Sequence, residues 1–281
     1  MTRRILIASH PFRPEAVQAA EVARQALVDQ GVEVLTRMDG EPIEAVIVLG
    51  GDGTLLRAAR DTRGSGAPLL GVNLGHVGFL AELEREDIHH AAACLARGEY
   101  WTEQRRTVEV TIHHPDSSIQ HGWALNEVTV ERMEMLGTLD VAVGVDGRPL
   151  SSFGCDGVVV ATPTGSTAHA FSGGGPVVWP EVEAILVVPL AAHALFARPL
   201  VLGPHSHVTV QVLEQSPAEA VLVLDGAEMV DVRRGARIEV RMSDEVVHLA
   251  RTSDAPFTER LVRKFGLPTV GWRGPSHVDG S

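Results

Sequence analysis

Ala45-Val46-Ile47-Val48-Leu49-Gly50-Gly51-Asp52-Gly53-Thr54-Leu55-Leu56-Arg57-Ala58-Ala59-Arg60 is the stretch on which the reading of this chain turns. Five apolar residues, a glycine cluster and a helix-forming tail describe a buried strand that passes through a turn into a helix beginning near Leu55. Glycines at 50, 51 and 53 admit positive φ and let backbone N–H groups approach an anion with no Cβ in the way. Gly50, Gly51, Gly53 and Thr54 are therefore read as a phosphate loop. Asp52 is out of keeping with that loop, because a carboxylate repels phosphate unless a cation lies between them or the carboxylate serves as a base.

Upstream, residues 4–9 form a short apolar strand. Residues 14–30 carry Val17, Ala20, Ala23 and Leu27 at helical spacing and stop at Gly31. Residues 32–36 and 68–72 add strands, and residues 86–97 a helix. Strands alternating with helices predict an α/β domain with a Rossmann-like parallel sheet covered on both faces. The segment Asn73-Leu74-Gly75-His76-Val77-Gly78-Phe79-Leu80 follows a strand, and loops at the carboxyl ends of parallel strands gather at a ligand crevice. Both glycine turns are expected to share one site.

Near Trp101 the rhythm changes to strict alternation: Val108, Val110 and Ile112, then Leu139, Val141, Val143 and Val145, then Val208, Val210 and Val212, then Ile238, Val240 and Met242. Period two means half-buried antiparallel strands, so a β-rich, sandwich-like C-terminal domain is expected. The expected division is an α/β domain over 1–103 completed by a C-terminal helix over 255–272, a β-rich domain over 104–254, and a flexible tail over 273–281. Phe257, Leu261 and Phe265 make one helical stripe, which needs a partner surface on the first domain.

With 281 residues, 44% apolar and 21% charged, the chain is globular, and a net charge of -12 excludes a nucleic-acid backbone as partner. Cys94 and Cys155 have no metal or CxxC spacing and read as reduced thiols of a cytoplasmic protein. No apolar stretch is long enough to span a bilayer, so no membrane is expected. The pairs His89-His90 and His113-His114, and His205 with His207, have no third ligand in place, and no protein-held metal is expected. Of the 24 Lys and Arg residues one is lysine, Lys264, near the C-terminus. Nucleotide-binding P-loops, protein kinases and pyridoxal enzymes each need a lysine in a motif that Lys264 does not occupy. Donor phosphates would be met by metal, backbone N–H groups and arginine.

A second dense motif runs from Asp156 through Thr162-Pro163-Thr164-Gly165-Ser166-Thr167-Ala168-His169 to Ser172 and Gly173-Gly174-Gly175-Pro176. A strand carries Asp156 at one end and Thr162 at the other, and Ser166-Thr167-Ala168 are expected to open a helix whose N–H groups and hydroxyls face an anion or a ribose. Two such turns, one in each domain, favour a dinucleotide as ligand.

These residues, with Leu125-Asn126-Glu127-Val128, Pro189-Leu190-Ala191-Ala192-His193 and Arg198-Pro199-Leu200-Val201, resemble the bacterial NAD kinases over nearly the whole chain. The resemblance implies transfer of the terminal phosphate of ATP to the 2′-hydroxyl of the adenosine ribose of NAD, with Asp52 as general base and Mg²⁺ or another divalent cation entering with ATP. It places Gly53 against the substrate, Phe79 near the adenine, and Asn126 and Glu127 on the ribose hydroxyls. Thr164, Thr167, Ala168, His169 and Ser172 become contacts of the second motif. Asp156 reaches the nicotinamide end, Ala191 forms a wall, and Arg57, or its neighbour Arg60, meets phosphate. The family also implies a homodimer or homotetramer whose sites borrow residues from adjacent subunits, with Asp156 the candidate at such an interface. His169 stands where the family usually has tyrosine, Ala227 where glutamine follows Asp-Gly, and Ala192 where proline precedes His193. Two other readings share some of these residues: a lipid or sphingoid-base kinase with the same glycine turn, and a non-catalytic NAD(P) sensor. The polar pair Asn126-Glu127 speaks against the first, and a carboxylate beside phosphate against the second.

Overall fold

All five side chains of the 45–49 run are buried, and the strands on either side of it run parallel to it. The computed structural model describes residues 3–75, 78–133 and 137–269. It opens with β1 (Arg4–Ser9), α1 (Pro14–Val28), β2 (Glu33–Leu35), β3 (Ala45–Leu49), α2 (Asp52–Asp61), β4 (Leu69–Asn73), β5 (Leu83–Glu84) and α3 (Ile88–Arg97). The strands pair in the order β2, β1, β3, β4, β5, all in parallel. Ala19, Ala23 and Leu27 of α1 and Ala91, Ala92 and Leu95 of α3 share a core with Ile5, Ile47 and Leu70. Pro14 at the start of α1 gives up an N–H that no helix could use there. The helix stops at Val28 rather than at residue 30, because the chain closes through Asp29 and a left-handed Gly31, φ 77°.

From Trp101 onward the chain is nearly all antiparallel. It runs through β6 (Trp101–His113), β7 (Ile119–Ala124), β8 (Glu127–Arg132), β9 (Leu139–Val145), β10 (Arg148–Cys155), β11 (Gly157–Ala161) and the one-turn α4 (His169–Ser172). It continues through β12 (Ile185–Leu190), β13 (Leu200–Leu202), β14 (Val208–Val212), β15 (Ala220–Leu224), β16 (Glu228–Val232), β17 (Arg237–Arg251) and α5 (Phe257–Phe265). One sheet has the order β13-β12-β11-β8-β15-β16, and against it lie β10-β9-β14-β17 with β6 and β7. Val128, Val130, Val158 and Val160 from the first and Val141, Val143, Val208, Val210 and Ile238 from the second bury together, which makes a sandwich core. β17 changes partner along its length: residues 237–240 pair with β14, and Leu249 pairs in parallel with Leu69.

The chain forms two compact units, one of Met1–Leu55, Ala67–Thr102 and Leu249–Ser281, the other of Leu56–Gly66 and Glu103–His248. The C-terminal helix is shorter than the 255–272 expected from spacing. Pro256 in extended conformation precedes it and Gly266, left-handed at φ 59°, ends it. The segment expected to be a flexible tail lies outside the described residues. The stripe of α5 packs its Phe257 and Phe265 rings on Phe79, each at 5.8 Å between centroids.

Beneath that aromatic contact is a buried charge cluster. The Glu82 carboxylate, 1% exposed, accepts from Arg251 Nη1 at 3.1 Å, Arg260 Nη2 at 2.6 Å, the backbone N–H groups of Thr252 and Ser253, and the Ser253 hydroxyl. Such a cluster owes its stability to complete hydrogen bonding, since stripping water from the ions costs several kcal/mol that only good geometry offsets. Glu82→Gln would leave two guanidinium groups facing a neutral amide. It is expected to lower the unfolding free energy by about 3–5 kcal/mol, the usual cost of breaking a buried pair. Urea unfolding monitored by tryptophan fluorescence measures this, and a loss below about 1 kcal/mol, the worth of an exposed pair, would show the cluster to be dispensable.

Candidate active site

Gly50 is the turn's strained position: its φ is 155°, and a Cβ there would lie 2.4 Å from Thr54 Oγ1. Its N–H donates to Val72 O at 3.0 Å, which ties the turn to β4. The helix begins at Asp52, earlier than the sequence suggests, because the N–H groups of Thr54 and Leu55 already donate to Gly51 O. Asp52 does not cap that helix with its side chain. Its Oδ2 accepts the N–H of Phe79 at 3.0 Å and its Oδ1 that of Leu80 at 3.1 Å, so the second glycine segment holds the carboxylate through backbone alone. Gly78 makes this approach possible, since a Cβ there would sit 2.2 Å from Asp52 Oδ1. In return Phe79 O accepts from Arg260 and Leu80 O from Arg251.

The two glycine segments line one cavity of about 440 Å³, as the sequence implies. Gly50, Gly51, Asp52 and Thr54 come from one, Asn73, Leu74, Gly75 and Gly78 from the other, with His10, Arg13, Glu15 and Lys264 also on the wall. Asn73 sets the second segment: its Oδ1 accepts the Gly75 N–H at 3.1 Å and its Nδ2 donates to Glu84 at 2.8 Å. Lys264, which by its position in the sequence falls in no nucleotide-binding motif, also reaches this wall. It is 212 residues from Asp52 in the chain by their numbering, 264 against 52, and the packing of α5 brings it to the same wall. Gly53 is exposed at the start of α2, while Arg57 is half-buried further along it. Phe79 is 6% exposed, its ring enclosed by Phe257 and Phe265.

In the second unit Leu125 and Asn126 link β7 to β8 and leave the ladder. Their N–H groups, with that of Glu127, donate to one carboxylate, Asp225, at 2.8, 2.7 and 3.2 Å. On the carbonyl side Thr162 donates from Oγ1 to Leu125 O at 2.6 Å and from N to Asn126 O at 2.8 Å, and Gly165 packs so close that a Cβ would meet Asn126 O at 2.1 Å. By sequence Asp225 reads, with Gly226, as a turn. Its φ of 49° beside Gly226 at 65° fits that reading, and the Asp-Gly pair is the signal that could have singled it out.

Backbone anchoring leaves one polar atom of each of two side chains without a partner inside the protein. Asn126 and Glu127 are each 7% exposed, yet Asn126 Oδ1 and Glu127 Oε2 have no hydrogen-bond partner. Buried polar atoms are almost always paired, so two adjacent orphans mark a place where a polar ligand completes the bonding. Burial, and then the charge of Asp225, push the Glu127 carboxyl up to about 8, against a partial offset from the His169 N–H. Asp225 is also raised by burial but keeps three N–H donors that favour its charged form. Burial thus biases Glu127 toward its protonated form, a group that both donates and accepts.

The remaining predicted residues surround that pair in sequence but differ in exposure. Thr164 is buried in a short 3-10 turn, Thr164–Thr167, and Thr167 Oγ1 donates back to Thr164 O. The expected helix from Ser166 is replaced by this turn and the one-turn α4. Ser166 is drawn inward, its hydroxyl donating to Val178 O and accepting the Val178 N–H, so it faces no ligand. Ala168 joins turn and helix with φ -104° and ψ -125°, outside both the extended and the helical regions. His169 Nδ1 lies 3.7 Å from Glu131, Ser172 is exposed, and Asp156, half-exposed, accepts from Arg132 Nε at 2.9 Å. Ala191 follows β12 in the left-handed region at φ 46° and is exposed. Cys155 is fully buried, its thiol pushed up to about 12 by burial, which suits a core residue and not a nucleophile.

Residues 3–100 match the model of the ATP-NAD kinase N-terminal domain, and residues 125–252 that of the ATP-NAD kinase C-terminal domain. An NAD kinase of Thermobifida fusca is 49% identical across 97% of this chain and 92% of the relative. One from Leifsonia xyli is 49% identical across 99% of each. Among solved structures, the fold is similar to yeast NADH kinase complexed with NADH, TM-score 0.87 at 22% identity over 96% of this chain and 89% of that one. It is also similar to an NAD kinase from Archaeoglobus fulgidus in complex with ATP, TM-score 0.73 at 27% identity over 95% and 98%.

The raised carboxyl makes a stability prediction. Between 4.5, its ordinary value, and about 8, Glu127 keeps its proton in the folded protein while the unfolded chain has released it. Stability then falls as pH rises through that window. Urea midpoints of the wild type should decline across it, and Glu127→Gln, which cannot ionise, should flatten the decline. Parallel pH profiles for the two proteins would show that Glu127 is ionised throughout.

Proposed function

The chain belongs to the ATP-NAD kinase family and is an NAD kinase, and from that premise we propose how its own residues carry the transfer of phosphate from ATP to NAD. Asp52 takes the proton of the adenosine-ribose 2′-hydroxyl as that oxygen attacks the γ-phosphorus. The new O2′–P bond forms, the bond from the γ-phosphorus to the β–γ bridging oxygen breaks, ADP leaves with that oxygen, and Asp52 later yields its proton to solvent. A carboxylate is a weak base for an alcohol and removes its proton only late in such a step, so the main contribution of Asp52 is to orient the hydroxyl. The observation that carries this reading is the Asp52 carboxylate, held by two backbone N–H groups on the wall of the glycine-lined cavity.

The N–H groups of Asp52 and Gly53, unpaired within α2 as at every helix start, suit the donor's phosphates, with Thr54 and Arg57 beside them. Asn126 and Glu127 meet the ribose hydroxyls, which supply the partners that the buried Oδ1 and Oε2 lack. Thr164, Thr167, Ala168, His169 and Ser172 line the dinucleotide's course, Asp156 and Ala191 its nicotinamide end. Phe79 acts near the adenosine through its backbone N–H. A divalent ion fits the cavity's oxygen donors, Asp52 and Asn73. Among the described residues no three His, Cys, Asp or Glu side chains converge as a metal cage, so the ion, Mg²⁺ by this chemistry, shares its coordination with the phosphates of ATP. When bound it neutralises charge that would otherwise set Asp52 against the donor.

Reduced thiols at Cys94 and Cys155 support a cytoplasmic setting, and no helix among the described residues is long and apolar enough to cross a membrane. Leu195, Phe196 and Met229 are exposed apolar side chains, which supports assembly as a homodimer or homotetramer.

Purified protein given ATP, Mg²⁺ and NAD should yield NADP, and Asp52→Asn should lower turnover by ~10³-fold while NAD binding holds. Full activity in Asp52→Asn would sink the assignment of the base. Asn126→Ala should weaken NAD by about tenfold or more, the worth of one lost hydrogen bond to a buried group, with KM for ATP nearly unchanged. Equal weakening of both ligands would count against a ribose grip at that residue.

A further inference from the structure

The cavity beside Asp52 has two side-chain cations on its wall, Arg13 and Lys264, against the carboxylates of Glu15 and Asp52. Phosphoryl transfer depends on spreading the donor's charge over fixed positive groups, so a cavity that balances its own charges needs its cations aimed at the phosphates. We propose that Lys264, on the last turn of α5, is the side chain that binds the terminal phosphates of the donor in this NAD kinase. The inference rests on Asp52 marking the reaction centre.

Three observations favour Lys264 over the other cation. First, α5 is fastened at four points along its length: Phe257 and Phe265 on the Phe79 ring, Arg260 on Glu82 and Phe79 O, and Arg263 on Glu84 at 2.6 Å. Arg13 and Lys264 are both exposed, but Arg13 stands at the N-cap of α1, where its side chain makes no capping hydrogen bond. Second, the element that fastens α5 also fastens Asp52, since Phe79 gives its N–H to Asp52 and its carbonyl and ring to α5. The reach of Lys264 is thereby set relative to the carboxylate it would assist. Third, an ammonium is a compact charge with three rotatable donors on a flexible stem, able to follow a phosphoryl group as it leaves one oxygen for another; a guanidinium fork is less able to do so. The bland account is that Lys264 only complements the carbonyl end of α5, as any cation in a last helical turn does.

Steady-state kinetics and melting temperature separate the two. Lys264→Met should raise KM for ATP by about 10- to 100-fold, the worth of a charge-assisted hydrogen bond, and leave KM for NAD within about twofold. Inorganic triphosphate, used as a competitive probe of the donor site, should lose affinity in parallel, and Lys264→Arg should recover part of the loss. An ATP KM within about twofold of wild type overturns the proposal. So does a rise shared equally by ATP and NAD, or a drop in melting temperature with both KM values unchanged, either of which assigns Lys264 to holding α5. Asp52→Asn, run alongside, keeps the premises apart. An inactive Asp52→Asn with a normal Lys264→Met removes the lysine alone, whereas an active Asp52→Asn removes the base whatever the lysine does.

Discussion

A single buried carboxylate, Glu82, sets the geometry on which the catalytic turn depends. Two arginines, two backbone N–H groups and a hydroxyl converge on it. The same arginines reach past it to the carbonyls of Phe79 and Leu80, whose N–H groups close on Asp52. The aspartate is thus held by amides whose carbonyls are held in turn by guanidinium groups. Amides make good fixed partners for a base because they bear no charge of their own and cannot exchange its proton. The buried ions that position them gain their worth from geometric definition more than from net stability, which burial of charge seldom provides.

The second unit solves a related problem with the sign of the charge changed. Asp225 draws three consecutive N–H groups onto itself and leaves the side chains at 126 and 127 facing an unfilled hydrogen-bonding demand. Two carboxyl groups in one buried neighbourhood cannot both ionise cheaply. Three N–H donors favour the charged form of Asp225, whereas burial favours the protonated form of Glu127. A protonated acid is suited to a diol, because it can give one hydrogen bond and receive another.

How much of this could be read from the amino-acid order varies with the kind of interaction. The strand, turn and helix around Gly50-Gly51-Asp52 were legible because the requirement is local: apolar run, glycine, helix former. The change at Trp101 from period 3.6 to period two was legible for the same reason. The partners of Asp52 were not, since they are amides of Phe79 and Leu80, and an amide leaves no trace in residue type. Only Gly78, which no larger residue could replace at 2.2 Å from the carboxylate, records the contact. Asp225 was legible as a turn and hidden as an anchor, because its carboxylate acts on residues about 100 positions away. Ser166 looked ligand-facing by its motif and is consumed by Val178. The place of Lys264 on the cavity wall was hidden because it is fixed by the docking of α5, which periodicity predicts as a need for a partner without saying which one.

The span of the Glu82 cluster has a consequence for how the enzyme comes into being. Glu82 and Arg260 are separated by 178 residues, and Asp52 is synthesised long before either arginine that fastens its neighbours. The glycine turn can form early from local contacts, but the amides that orient its aspartate are clamped only when β17 and α5 have been made and have returned. Contacts of such separation close late in folding. Competence for phosphate transfer is thereby deferred until α5 has been made, and a chain that stops short of α5 holds the reactive carboxylate without the frame that aims it.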